Sequence, residues 1–125
     1  MKLYFQGDLC IEPVVNVTFD TTNVVSSSRD GVVVLAEGEA TGHRHAFYGG
    51  GVLLFRDEAL ARDLPAELYI GHLRIDVDAA PLRHEEHDTI TLPKGVYRVR
   101  RQREYDGSDV IQEPRASVRS RVVGD

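Results

Sequence analysis

The protein has 125 residues, of which 42% are hydrophobic and 28% charged, and its formal net charge is −5 at pH 7. This length suffices for one hydrophobic core but not for two, and the composition is that of a folded domain rather than a disordered chain. The acidic balance disfavours a surface devoted to nucleic acid or anionic lipid, because such surfaces depend on clustered lysine and arginine.

The single cysteine, Cys10, rules out an intrachain disulfide and the Cys-rich zinc patterns, so we expect a reducing, cytoplasmic location. Asp8 and Glu12 flank Cys10 on its own strand face, which raises the pKa of the thiol and favours a structural role over a nucleophilic one. Aliphatic runs such as GVVVLA are far shorter than a membrane span, and no plain export signal precedes them.

The first predicted element is a strand over residues 3–15, which are rich in aliphatic and aromatic side chains. This stretch contains LYFQG, the core of a protease site used in recombinant fusions. We treat it as native sequence, because the usual preceding Glu-Asn is missing and the apolar pattern continues through it. Residues 16–31 mix β-branched with small polar residues and end on Asp30-Gly31, which predicts a loop or a short irregular strand.

Three further strands are predicted at residues 32–38, 43–48 and 52–55, with the three glycines at 49–51 reversing the chain. The next stretch, RDEALARDLPAEL, is the only helix-like piece. Asp57 is its candidate cap and Pro65 its stop, and at about two turns it needs packing to be stable.

The stretch ELYIGHLRIDVDAAPL alternates and predicts a half-buried strand. Its apolar face consists of Tyr69, Leu73, Ile75 and Val77, and its polar face of Ile70, His72, Arg74 and Asp76. A short strand at 89–92, a turn at 93–95 and a long strand at 96–105 follow. We therefore predict an all-β fold, a compact small barrel or sandwich with one short helix, in a single domain at 1–105 with a polar tail at 106–125.

Four of the five histidines form two pairs. His43 and His45 in GHRH project to the same face of a strand, because side chains alternate. His84 and His87 in HEEH lie three residues apart, a spacing that separates them on a strand but brings them together in a tight turn. The simpler alternative is that the two motifs arise independently, as surface or hydrogen-bonded core histidines.

Imidazole nitrogen binds zinc, iron and other transition metals, often with a carboxylate completing the sphere. We therefore hypothesise a mononuclear divalent-metal site, with zinc or iron favoured. Its candidate ligands are His43, His45, His84 and His87. Glu86, or alternatively Glu85, is a further candidate ligand or the candidate general base. Three ligands would leave a position for water and suit hydrolase or lyase chemistry, whereas four would make the site structural. The sequence leaves both open.

The stretch YRVRRQREY carries four arginines between Tyr97 and Tyr105, and a basic strand with aromatic residues can bind single-stranded nucleic acid. Alternation divides these arginines between two faces, and Glu104 dilutes their charge. Pairing with carboxylates is therefore the favoured interpretation.

Two resemblances bear on these motifs. The segments Gln6-Gly7-Asp8, GEATGHRH, HEEH and LPKGVYRVRRQREY together resemble a group of small uncharacterised bacterial and phage proteins, which implies a single domain but no particular reaction. The HxH of GHRH also resembles the metal motif of cupins, which are small β-barrels. The Glu that cupins carry shortly after this motif is replaced here by glycines.

We therefore expect a divalent-metal-binding β domain, with hydrolase or lyase activity as the finer hypothesis. The alternative is a non-enzymatic interaction module, an accessory or phage protein, that binds a protein or nucleic-acid partner through the arginine strand and the tail. A small-molecule ligand and a homo-oligomer are left open, nucleic acid is disfavoured, and no membrane partner is expected.

Overall fold

The computed structural model of the protein describes residues 2–18, 20–37 and 42–102. Within these residues the chain forms eight strands and no α-helix, so the predicted all-β class is confirmed. The strands are β1 (Tyr4–Gln6), β2 (Leu9–Pro13), β3 (Val24–Ser27), β4 (Val33–Glu37), β5 (Arg44–Phe47), β6 (Val52–Phe55), β7 (Tyr69–Arg83) and β8 (Ile90–Arg101). The predicted tail at 106–125 lies outside the described residues, and the division at residue 105 stays a prediction.

All eight strands belong to one antiparallel sheet whose central member is β7. The main path runs β1-β2-β8-β7-β5-β4, and β3 joins through β6. On one side β7 pairs with β8 along most of its length. On its other side the first half of β7 pairs with β6 and its end pairs with β5. The end of β7 is therefore held between β5 and β8.

The sheet curves around a core contributed by six of its strands. Among the described strands β1 and β4 end the path and do not pair with each other, so the sheet is not a closed barrel, which was one of the two predicted architectures, barrel or sandwich. A register shift between Ile75 and Ala79 inserts extra residues into β7, and such bulges bend a strand and increase its twist. The fully buried core side chains include Leu9, Ile11, Val33, Phe47, Leu73, Leu82, Leu92 and Val99.

The predicted first strand over residues 3–15 is instead a hairpin of β1 and β2. Gln6 pairs with Leu9, so the turn consists of Gly7 and Asp8 alone. Gly7 has a φ of 58°, as the first position of a tight two-residue turn of this kind requires. The turn therefore carries Asp8 at its tip, close to the buried side chain of Gln6.

The predicted helix is also wrong. The segment forms two short 3-10 turns, Glu58–Ala61 and Ala66–Leu68, because Pro65 disfavours helical backbone at the residue before it. The predicted cap is confirmed, since the Asp57 carboxylate accepts a hydrogen bond from the Ala59 N–H at 3.0 Å. Ala61 is buried, so the segment covers part of the sheet.

The hairpin between β7 and β8 turns at residues 84–89, the HEEHDT segment. The predicted turn at 93–95 is wrong, because these residues continue β8 opposite the bulge of β7. The strand predicted over ELYIGHLRIDVDAAPL is β7, and it runs to Arg83 because β8 pairs with it up to Leu82. The HEEH segment is thereby carried to the end of the central strand.

Candidate functional site

The two histidine pairs meet across the β5–β7 pairing. Phe47 pairs with Leu82 and Ala46 with Arg83, so continuing this register sets His45 opposite His84. Both histidines are buried, with exposed fractions of 0% and 8%. Residues at opposite positions of an antiparallel pair project to the same face, which brings the two rings together.

The four imidazoles form a histidine cluster of His43, His45, His84 and His87. The ring centroids of His45 and His84 are 4.3 Å apart, and those of His84 and His87 are 4.5 Å apart. His45 and His87 are stacked at 6.2 Å, and His43 lies 5.8 Å from His84 at the rim. The turn at HEEH thus brings His84 and His87 together, and the ligand role of all four stays a prediction.

The His84 ring has a defined protonation pattern when it is neutral. Its Nδ1 accepts a hydrogen bond from the Glu86 N–H at 3.0 Å, which assigns the proton to Nε2. This Nε2 is buried and has no hydrogen-bond partner among the described residues. A buried donor without a partner is costly, so the position suits a ligand or a bound water.

Two residues of the β1–β2 hairpin complete the cluster, and the sequence analysis did not include them. Gln6, which is 3% exposed, lies 2.9 Å from Nδ1 of His45 through its Oε1. Asp8 lies 3.9 Å from Nε2 of His45 through Oδ1 and 2.8 Å from Arg101 through Oδ2. The sequence signal for both residues is the Gln6-Gly7-Asp8 segment, which carries part of the family resemblance but was not assigned to the site.

The two glutamates of HEEH lie outside the ring cluster. Glu85 accepts a hydrogen bond from the Arg44 N–H at 2.8 Å, and this bond lowers the pKa of its carboxyl. It therefore fastens the HEEH loop to the start of β5. Glu86, the predicted general base, is 59% exposed and lies 3.7 Å from Nδ1 of His43 through its Oε1. Glu86 and His43 together form the rim of the cluster.

The side-chain conformations do not form a finished metal centre. Within residues 2–18, 20–37 and 42–102, no three His, Cys, Asp or Glu side chains are arranged to hold one ion. A cleft of about 250 Å³ opens beside the cluster, lined by Tyr48, Arg83, His84, Glu85 and Thr89. His84 therefore lies between the buried cluster and a solvent-accessible cleft.

The arginines of β8 are paired with carboxylates, as the favoured interpretation predicts. Arg98 binds both oxygens of Asp63, at 2.7 and 3.1 Å, and also Glu12 at 2.7 Å. Arg100 lies 3.4 Å from Glu12. Arg103 lies outside the described residues. The interaction-module alternative stays a prediction, and its arginine surface is partly neutralised within the chain.

Cys10 is a buried free thiol in β2. Burial raises its pKa, and Glu12 acts in the same direction while Arg100 and Arg98 oppose it. A thiol held protonated in this way is a poor nucleophile, which agrees with the predicted structural role.

The fifth histidine, His72, is buried rather than exposed on a polar strand face, so that prediction is wrong. His72 lies opposite Phe55 in the β6–β7 pairing, and the register shift between Tyr69 and Gly71 brings the Tyr69 side chain to the His72 face of β7. His72 consequently stacks on Phe55, with ring centroids 5.5 Å apart, and its Nδ1 lies 2.7 Å from the Tyr69 hydroxyl. Because that hydroxyl accepts from the Asp57 N–H at 3.1 Å, it donates to Nδ1 and favours neutral His72.

This environment predicts a pH-dependent stability. Burial, and to a smaller extent Arg98, lowers the pKa of His72 from 6.5 to about 4. Between about pH 4 and 6.5, His72 therefore binds a proton in the unfolded chain but not in the folded chain. The free energy of unfolding should be undiminished above about pH 6.5 and fall by up to about 3 kcal/mol as the pH drops to about 4.

Urea unfolding of the wild type and of His72→Leu between pH 4 and 8 measures this dependence. The difference in the free energy of unfolding between the two proteins should shrink as the pH falls, because the two proteins differ only at residue 72. A difference in the free energy of unfolding that stays constant from pH 4 to 8 would contradict the lowered pKa of His72.

The fold and the site define a class of protein: an all-β domain of one antiparallel sheet with a buried histidine cluster. The chain belongs to the family described as Domain of unknown function (DUF8820), whose model matches residues 5–102. The predicted membership in an uncharacterised family is therefore confirmed, and the match spans both histidine pairs as well as Gln6 and Asp8. The phage association and the cupin comparison stay predictions.

No curated protein and no solved structure matches the chain significantly. Among the described residues, no helix has the length and apolar character needed to cross a membrane.

Proposed function

We propose that the domain binds one divalent metal ion at the histidine cluster. The proposed nitrogen ligands are Nε2 of His45, His84 and His87, and the proposed oxygen ligand is Asp8. The observation that carries this proposal is the convergence of three imidazoles from two distant chain segments, with ring centroids 4.3, 4.5 and 6.2 Å apart. In the proposed arrangement His43 stays at the rim, next to Glu86.

The ring separations agree with binding to a single ion. A metal–nitrogen bond of about 2.1 Å sets the ion about 3.2 Å from the centroid of the ring. Two such rings are then about 4.5 Å apart when their bonds are at right angles and about 6.4 Å apart when the bonds are opposite. The three observed separations are close to this range, so the rings of His45, His84 and His87 are near enough to hold one ion. Imidazole nitrogen suits both zinc and iron.

Metal binding would require a change at His84. Its Nε2 carries the proton while its Nδ1 accepts from the Glu86 N–H, and a metal ligand needs a lone pair on Nε2. The proposal therefore includes a rotation of the His84 ring or a shift of the HEEH loop that releases the Glu86 N–H. The loop connects two strands and has exposed residues at its tip, so this change need not disturb the sheet.

The finer proposal is a hydrolase or lyase that acts on a small molecule. An ion that accepts more than four ligands, such as iron(II), would leave room for water and substrate beside three imidazoles and one carboxylate. The cleft beside His84 would admit the substrate, with Tyr48 and Arg83 on its walls. Glu86, which is exposed at the rim 3.7 Å from His43, would be the general base in that chemistry.

Metal analysis of protein purified without a histidine tag tests the proposal. After supplementation with iron(II), zinc or manganese and removal of excess ion, one ion per chain is expected, and it should raise the melting temperature. Chelation should reverse this shift. A metal content near zero after supplementation with each ion would overturn the proposal. A melting-temperature shift without activity on any small-molecule substrate would overturn only the catalytic part.

A further inference from the structure

We propose that Gln6 is a positioning residue that sets the tautomer of His45 and clamps the HEEH loop. Gln6 is buried at the end of β1, in the hairpin whose turn carries Asp8. Its amide contacts β5 and both ends of the HEEH loop. This role depends on the proposed metal site for its purpose, but its physical basis is visible in the metal-free protein.

The orientation of the Gln6 amide follows from its partners. Nε2 donates to the carbonyl oxygen of Leu82 at 2.8 Å and to that of Asp88 at 2.9 Å. A carbonyl oxygen can only accept, so both amide hydrogens are used there and the amide cannot be flipped. Oε1 must then face His45 as an acceptor.

An acceptor at this position decides the state of the His45 ring. Because Oε1 of Gln6 carries no hydrogen, Nδ1 of His45 must carry one. Neutral His45 then has its lone pair on Nε2, the atom that lies 3.9 Å from Asp8. Metal-bound histidines usually donate their other N–H to a fixed acceptor in this way, which sets the tautomer and strengthens the ligand.

The same amide holds the loop that carries His84 and His87. Leu82 lies near the end of β7 and Asp88 shortly before β8, so the two accepting carbonyls bracket the HEEH segment. Each bond spans more than 75 residues of sequence, with separations of 76 and 82. Gln6 therefore joins the first strand of the domain to both ends of its functional loop.

Two variants separate the acceptor role from the clamp. Gln6→Glu keeps an oxygen that can accept from His45 but loses the paired donation to Leu82 and Asp88. Gln6→Met has a similar length and keeps neither function. In the metal-free protein, nitrogen-15 NMR of the imidazoles should assign the proton to Nδ1 of His45 in the wild type and in Gln6→Glu. Gln6→Met should give a mixture of tautomers.

Metal titration then measures the consequence. Gln6→Met should bind about 10 to 100-fold more weakly, the usual effect of removing such a partner. Gln6→Glu should recover most of this loss. A wild-type His45 protonated on Nε2, or a Gln6→Met protein that keeps the Nδ1 proton, would overturn the inference. The wild-type measurement decides this even where a variant does not fold. If the tautomer depends on Gln6 but the wild type binds no metal, only the proposed function fails.

Discussion

Replacing His45 with alanine is expected to lower the affinity for the metal by roughly two orders of magnitude or more. Protein sites that hold a structural zinc bind it with about 10–16 kcal/mol, so one of about four ligands accounts for roughly 3 kcal/mol. His87→Ala should have a similar effect on affinity at a smaller cost in stability, because His87 is only partly buried. Isothermal titration with iron(II) and zinc under anaerobic conditions measures both affinities.

His72→Ala is the matched control for these variants. It also removes a buried imidazole, but from the group of Phe55 and Tyr69 rather than from the histidine cluster. Circular dichroism first identifies a temperature at which all variants are folded. At that temperature His72→Ala should retain the wild-type affinity. Equal losses of metal affinity in His72→Ala and His45→Ala would mean that the variants act through stability. An unchanged metal affinity in His45→Ala would exclude His45 as a ligand.

Phe47→Ala is expected to destabilise the domain by about 3–5 kcal/mol, the range for removing a fully buried aromatic side chain. Phe47 is 0% exposed and packs into the core of the curved sheet. It is also two residues from His45 on the same face of β5. The loss would be a large part of the stability of a domain of this size.

Urea unfolding of Phe47→Ala and Tyr48→Ala compares two adjacent aromatic residues. Tyr48 directly follows β5 and is 49% exposed, so its removal should change the free energy of unfolding by only about 0.5 kcal/mol. Similar losses in the free energy of unfolding for the two variants would contradict the burial of Phe47 and the exposure of Tyr48.

The fold class and part of the site follow from local patterns in the sequence. The alternation of side chains predicts strands, and β6 has the predicted bounds of residues 52–55. Alternation also accounts for His43 and His45 on one face, and the tight turn at HEEH accounts for the approach of His84 and His87. Each of these predictions concerns neighbours a few residues apart.

The features that the sequence analysis missed depend on distant partners. The local sequence around Gly7 predicts a continuous strand. Gly7 is a turn residue only because β2 pairs with β1. Pro93 suggests a turn, yet β8 continues through it because β7 bulges opposite. Gln6 and Asp8 join the site only through contacts with β5 and β8. The contact between Gln6 and His45, for example, joins residues that are 39 positions apart in the sequence. No local pattern carries information of that kind.

The hydrogen bonds of Gln6 have a consequence for folding. The cluster draws on the hairpin turn, the start of β5 and the end of β7, and these segments are joined by closing loops of 39 and 76 residues. The entropy of closing such loops must be overcome before the ligands meet, so the unfolded chain offers a metal little more than the two separate local pairs, GHRH and HEEH. The ion would therefore bind a domain that has already folded, slowing its unfolding rather than nucleating its folding.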